Sequence, residues 1–194
     1  EALMRVPMFF IGPNIKARIE PREDFISIVD IVPTICEMLD IPIPEGVQGR
    51  SLWPILSGDE YPIREFESIY GEQGFGGLHY DKDYDFSFEE ALIRFPCIKI
   101  FDELNGCTQS GWMRMIRKGE WKLVIDMQGN GQLYKLDTDP MEIDNLYYKP
   151  EYRDIKGDML EELVVWMLRM QDPLPGGDTS KYRMRRNPRN YWSM

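Results

Sequence analysis

The sequence predicts an α/β fold: the edge of a parallel-sheet core, followed by a small C-terminal antiparallel sheet packed with a long helix. Three patterns predict it. An apolar run near the start, Val6-Pro7-Met8-Phe9-Phe10-Ile11, has the composition of a strand buried on both faces. A helical pattern follows it after a polar connection. Beyond residue 110, short alternating segments separated by glycine turns lead into a long helical stripe. The chain divides accordingly into 1–57 (the end of an α/β core), 58–175 (a C-terminal α+β subdomain) and 176–194 (a basic aromatic tail).

The first strand closes at Gly12-Pro13, and Pro7 near its start is tolerable there. The first helix begins at Asp30, a good N-cap residue, with Pro33 in the first turn. Ile31, Ile35, Met38 and Leu39 share one face, expected to be buried. The helix must stop before Ile41-Pro42-Ile43-Pro44, because proline cannot continue it. Residues 64–70 alternate as a strand, with Phe66, Ser68 and Tyr70 on one side. Gly71–Gly77 then packs four glycines into seven residues. Trp112–Arg117 and Trp121–Asp126 read as a hairpin across Lys118-Gly119-Glu120, with Trp121, Leu123 and Ile125 on one face. A turn at Gly129-Asn130-Gly131 leads to a third strand at Gln132–Leu136, and Asp137-Thr138-Asp139-Pro140 turns the chain again. The last element is a helix over Glu151–Gln171. Ile155, Met159, Leu163, Trp166 and Met170 form its stripe, widened by Leu160, Val164 and Met167.

Composition narrows the function. Of the 194 residues, 43% are apolar and 29% charged, which suits a packed domain. No run of about 18 apolar residues offers a membrane span. The net charge of −10 disfavours a general nucleic-acid binder. The charge is uneven: 59–90 hold ten acids against Arg64 and Lys82, whereas 176–194 hold five basic groups and one acid. Two readings stand. Either both are solvated faces, or the tail contacts a neighbouring subunit or an anionic ligand. Cys36, Cys97 and Cys107 have no pairing or metal-type spacing, so the expectation is reduced thiols, leaning towards a cytoplasmic compartment. The chain opens on Glu1 without initiator Met or leader, so targeting information is absent or upstream.

Little in the chain carries chemistry. His79 is the sole histidine, which excludes mechanisms needing a pair and leaves no base for a serine or cysteine triad. It follows the glycine loop, so His79 and Tyr80 are the candidate substrate contacts; a structural role for His79 is the alternative. Asp81-x-Asp83-x-Asp85 starts like a calcium loop, but Phe86 and Leu92 stand where that motif needs Gly and Glu. Gly71–Gly77 lacks the Gly-Lys-Ser/Thr ending of a phosphate loop. No catalytic residue and no metal ligand is therefore assigned.

Five segments, in order, resemble the C-terminal part of the sulfatases, in the alkaline-phosphatase-like superfamily. They are Glu1-Ala2-x-x-Arg5-Val6-Pro7, Val29-Asp30-Ile31-Val32-Pro33-Thr34, Gly49-Arg50-Ser51-Leu52-x-Pro54-x-Leu56, Arg117-x-Gly119-x-Trp121-Lys122-Leu123, and Leu133-Tyr134-x-Leu136-x-x-Asp139-Pro140-x-Glu142-x-x-Asn145-Leu146. The resemblance implies that 1–57 is the edge of an alkaline-phosphatase-like core. It also implies a parent enzyme that hydrolyses sulfate esters with a formylglycine and a divalent metal, calcium or magnesium. The formylglycine arises from Cys/Ser-x-Pro-x-Arg, which this chain lacks. The family's catalytic set lies earlier in its motif order. The chain is thus expected to be inactive alone and to complete the fold and wall the substrate pocket. Its partner is the missing N-terminal catalytic portion, or a second copy through self-association. The alternatives are an independent binding or assembly module of the same fold, and the C-terminal part of a phosphonate or phosphate ester hydrolase. Glu142 and Asn145 are expected to satisfy nearby backbone or pair with an arginine.

Overall fold

The computed structural model describes residues 4–44, 46–74 and 111–170. In chain order, the described helices are α1 (Ile31–Met38), α2 (Trp53–Ser57) and α3 (Arg153–Arg169). The strands are β1 (Ser68–Gln73), β2 (Met113–Lys118), β3 (Trp121–Asp126) and β4 (Gly131–Lys135). Short 3-10 turns precede α1, β1 and α3. The four strands form one antiparallel sheet in the order β1-β2-β3-β4.

The described residues fall into two compact units. One gathers those up to 69 with 117–119 and 161–170; the other gathers 70–74, 111–116 and 120–160. In the first unit, Leu52, Ile55 and Phe66 form a buried cluster, with Phe10, Ile26, Leu56 and Tyr61 packed on it. Tyr61 meets Phe66 edge-on, with ring centroids 5.7 Å apart, a favoured aromatic geometry.

In the second unit, β3 and β4 pair with Trp121 opposite Lys135 and Leu123 opposite Leu133. The Leu133 N–H and carbonyl both serve partners other than β3: Asn145 Oδ1 and the Leu146 N–H. Leu123 and Leu133 therefore form a non-hydrogen-bonded pair, in which side chains approach most closely. Both are completely buried. Gly131 cannot carry a side chain, because a Cβ would lie 2.1 Å from the Tyr147 ring.

The meander, its turns and the final helix follow the sequence expectation to within a residue or two. Four local expectations are corrected. Val6–Ile11 is not a strand, and pairs with none of the described strands. Val6, Phe9 and Ile11 are exposed instead of buried on both faces. The expected strand over 64–70 is a 3-10 turn at Ile63–Phe66, and β1 begins only at Ser68. The face of α1 holding Ile35, Met38 and Leu39 is solvent-exposed, and the buried side carries Pro33, Thr34 and Cys36. Along α3, Met159, Leu163 and Trp166 are buried as expected, but Val164 and Met167 are exposed, so the buried stripe is narrower. No described helix is long and apolar enough to cross a membrane.

Candidate functional site

Residues from four of the five segments that carry the family resemblance converge on two buried polar centres. The first joins two motifs that lie 20 residues apart in sequence. Asp30 does not cap α1 with its side chain. Its carboxylate instead accepts the Ser27 N–H at 2.8 Å and the Arg50 N–H at 2.7 Å. Local pattern suggested a cap; the competing donor from residue 50 is a tertiary fact. Thr34 Oγ1 donates to the Asp30 carbonyl and accepts the Leu52 N–H at 2.8 Å. Gly49 must be glycine here, since a Cβ would sit 2.0 Å from the Val29 carbonyl oxygen. The glycine thus lets the 49–52 backbone reach Asp30 and Thr34.

Arg50 completes this centre from within. It is 4% exposed and Asp30 is 1% exposed. Arg50 Nη2 donates to the Phe25 carbonyl at 3.0 Å and lies 3.6 Å from Asp30 Oδ2. The guanidinium carbon lies 4.6 Å from the Phe66 ring centroid and 5.2 Å from that of Trp166. Aromatic faces attract a cation and cost it little hydration to approach. Burial pushes the Asp30 carboxyl up and the Arg50 guanidinium down from their ordinary values, against a mutual attraction that favours both charges. Glu65 is pushed up to about 7 by burial, opposed by Arg50 and Arg169. From Trp166 a further chain runs outward: its Nε1–H donates to Ser68 Oγ at 2.8 Å, and Ser68 donates to Glu162 Oε1 at 2.8 Å. Lys118 binds the other oxygen of Glu162 at 2.7 Å.

The second centre lies in the other unit. Lys122, on β3, is 6% exposed and donates to both Glu142 carboxylate oxygens at 2.9 Å. Period-two reading places Lys122 opposite Leu123, on the solvent side; in the structure both are buried. Glu142 pairs with this lysine, a partner that the sequence reading did not name. Burial alone would raise the Glu142 carboxyl; the Lys122 hydrogen bonds lead the groups that bring it below its ordinary value. Glu142 has φ +57°, a left-handed conformation in a non-glycine residue. Asp139 supports that turn by accepting the Ile143 and Asp144 N–H groups, each at 2.9 Å through Oδ2. Asn145 satisfies backbone as expected. It accepts the Leu133 and Tyr147 N–H groups at 3.1 and 3.0 Å and donates to the Gly131 carbonyl at 3.0 Å.

Asp30 with Arg50, Lys118 with Glu162 and Lys122 with Glu142 are ion pairs made within these centres. His79 and Tyr80 lie outside the described residues, as do Asp81, Asp83, Asp85, Cys97, Cys107 and the basic tail. Gly71–Gly77 is described only as far as Gly74. Cys36 is buried as a free thiol. Among the described residues, no group of three or more His, Cys, Asp or Glu side chains could hold a metal ion. The divalent metal and formylglycine thus find neither a donor set among the described residues nor a precursor motif in the sequence, and neither enters the chemistry of these centres.

Comparison with known proteins bears on the whole arrangement. No family model matches the chain. Arylsulfatase K of Bos taurus is 29% identical over 168 residues, which is 84% of this chain and 26% of that protein. The solved structure of a 2-O GAG sulfatase superposes with a TM-score of 0.58 at 23% identity, covering 93% of this chain and 32% of the other. The phosphonate monoester hydrolase of Agrobacterium radiobacter gives a TM-score of 0.52 at 26% identity, over 74% of this chain and 25% of its own. The chain therefore spans only about a quarter to a third of the length of these relatives. With four of the five ordered motifs resolved into two buried centres, and a fold shared over most of its length with solved sulfatases, the chain is similar to the C-terminal part of the sulfatases.

Proposed function

We propose that this chain is the architectural C-terminal portion of a sulfuric ester hydrolase. It completes the fold and walls the substrate pocket, while the nucleophile and the metal ligands come from the N-terminal catalytic portion. The observation that carries this reading is the fate of the resemblance-bearing residues. Asp30, Arg50, Lys122, Glu142 and Asn145 are all engaged in holding backbone and one another. The name of the Bos taurus relative supports sulfate esters as the substrate class.

Within this reading His79 and Tyr80, just after the glycine-rich segment Gly71–Gly77 in sequence, are the proposed substrate contacts. A neutral imidazole or a phenol donates one hydrogen bond to a sulfuryl or sugar oxygen, which is a contact of binding and not of catalysis.

The test is a paired assay of the complete enzyme on an aryl sulfate and the matching aryl phosphonate. A larger kcat/KM on the sulfate is expected. A larger value on the phosphonate would replace the reading with that of a phosphonate hydrolase, the reading that the Agrobacterium radiobacter neighbour supports. In the same assay, His79→Ala is expected to raise KM with kcat little changed. Unchanged kinetics would return His79 to a structural role.

A further inference from the structure

The final helix, α3, has two unlike faces. Its inner side carries Met159, Leu163 and Trp166, all buried. At about 100° per residue, Asp154, Asp158, Glu161, Val164 and Leu168 fall on the opposite side, with Met167 at its margin. The three acids are exposed, and Val164, Met167 and Leu168 are 53, 41 and 62% exposed. The outer face is therefore graded: acidic over its first half, apolar over its second. A solvated helix face is normally polar along its whole length. Gly157 lies on the same side, and a Cβ there would meet nothing within 4 Å. Glycine weakens a helix interior, and no described neighbour requires it here. What it provides is bare backbone on the outer face, where another segment can approach closely.

Residues 176–194, which lie outside the described residues, have the complementary composition. They hold five basic groups and one acid, together with Tyr182, Tyr191 and Trp192. The order matches too. Leaving α3, Tyr182 comes first, and Arg183, Arg185, Arg186 and Arg189 follow. Read backwards from the end of α3, the apolar residues come first and the acids follow. The point of departure is fixed, because Gln48 Nε2 donates to the Met170 carbonyl at 3.0 Å. Pro173 and Pro175 bar the helix from continuing, and Gly176-Gly177 permits a reversal. Length suffices as well. From Asp154 to Leu168 the helix rises about 21 Å, whereas residues 176–194 fully extended span about 60 Å.

We infer that residues 176–194 fold back along the outer face of α3. Tyr182 covers Val164 and Leu168, and the arginines lie beside Glu161, Asp158 and Asp154. Two facts favour this tail over a second copy of the chain. A segment tethered a few residues from its site is present there at an effective concentration in the millimolar range. The apolar-then-charged order also fits a chain that reverses direction at Gly176-Gly177. A fully solvated tail would leave the Val164–Leu168 patch uncovered. The inference is independent of the substrate class.

Photocrosslinking in the complete chain tests it. p-Benzoylphenylalanine in place of Tyr182 keeps an aromatic ring at that position, and the linked peptides are mapped by mass spectrometry. Crosslinks to residues 157–168 of the same chain are expected. A second protein with the same label also carries Asp158→Lys and Glu161→Lys. Both positions are exposed, so helix content by circular dichroism is expected to be unchanged. The yield of the crosslink to 157–168 is expected to fall at least about fivefold, because like charges would then face each other. An unchanged yield would overturn the inference, since nearness in sequence alone would explain the crosslink. Crosslinks that map elsewhere, or that do not form, would overturn it as well. So would covalent dimers, because a second copy would then be the occupant.

Discussion

Among the described residues the two units each bury one cation, and they do so differently. Arg50 is met by Asp30, by the Phe25 carbonyl and by the rings of Phe66 and Trp166. Lys122 has a single bidentate carboxylate, Glu142, carried on a strained turn. A guanidinium is planar and can be satisfied from its edge and its faces at once; an ammonium is a point charge that one good carboxylate can satisfy. The first centre is therefore a junction of several segments, while the second is a clamp between one strand and one loop.

That contrast is open to direct attack. The largest effect is expected from Asp30→Ala, which leaves a buried guanidinium uncompensated and releases the Ser27 and Arg50 N–H groups. A loss of about 3–5 kcal/mol in urea unfolding is expected. A loss under about 1 kcal/mol would show that the rings and the carbonyl alone hold Arg50.

Next comes Asn145→Ala. It removes three hydrogen bonds and leaves the Leu133 N–H, on a fully buried residue, without its acceptor. A loss of about 1–3 kcal/mol is expected. The clamp itself should be more replaceable. Lys122→Met combined with Glu142→Gln swaps a buried ion pair for groups of similar size, and the expected change is within about 1 kcal/mol of zero. A cost near that of Asp30→Ala would mean that the two centres are alike after all.

The smallest effect concerns pH. Glu65 titrates near 7 in the folded chain, against an ordinary carboxyl value near 4.5. The folded state thus holds the proton more tightly than the unfolded state. Its contribution to stability is full below about pH 4.5 and is lost as pH rises through 7. Glu65→Gln should therefore match the parent chain at pH 4 and exceed it at pH 8. Equal urea midpoints at both pH values would remove Glu65 from the Arg50 centre.

What could be read from sequence follows the same division. The β2–β4 meander was legible because its signals are local: alternation within each strand, and glycine between them. The buried stripe of α3 was legible because a long helix imposes its own period. Asp30 misled, since a cap and a tertiary acceptor have the same local pattern, and only the arrival of Arg50 tells them apart. Lys122 misled because alternation assigns one wet face to a strand, whereas the Glu142 loop here covers that face. Val6–Ile11 has the residues of a strand, but a strand also needs a neighbour, and composition is silent about who supplies it. The motif order added what periodicity could not: Gly49, Lys122, Glu142 and Asn145 all belong to it, and all prove to be points of close backbone approach or buried pairing.

The loop that runs beside β4 has one more consequence. Among the described strands β4 lies at the end of the sheet, and its Leu133 backbone is occupied on the outer side by Asn145 and Leu146. An uncovered strand at that position would offer its amides to any passing chain and invite fibre-like stacking. Asn145 therefore protects more than the fold of one molecule. It keeps neighbouring molecules from adding to the sheet, so its loss should be felt first in the concentration at which the protein stays in solution.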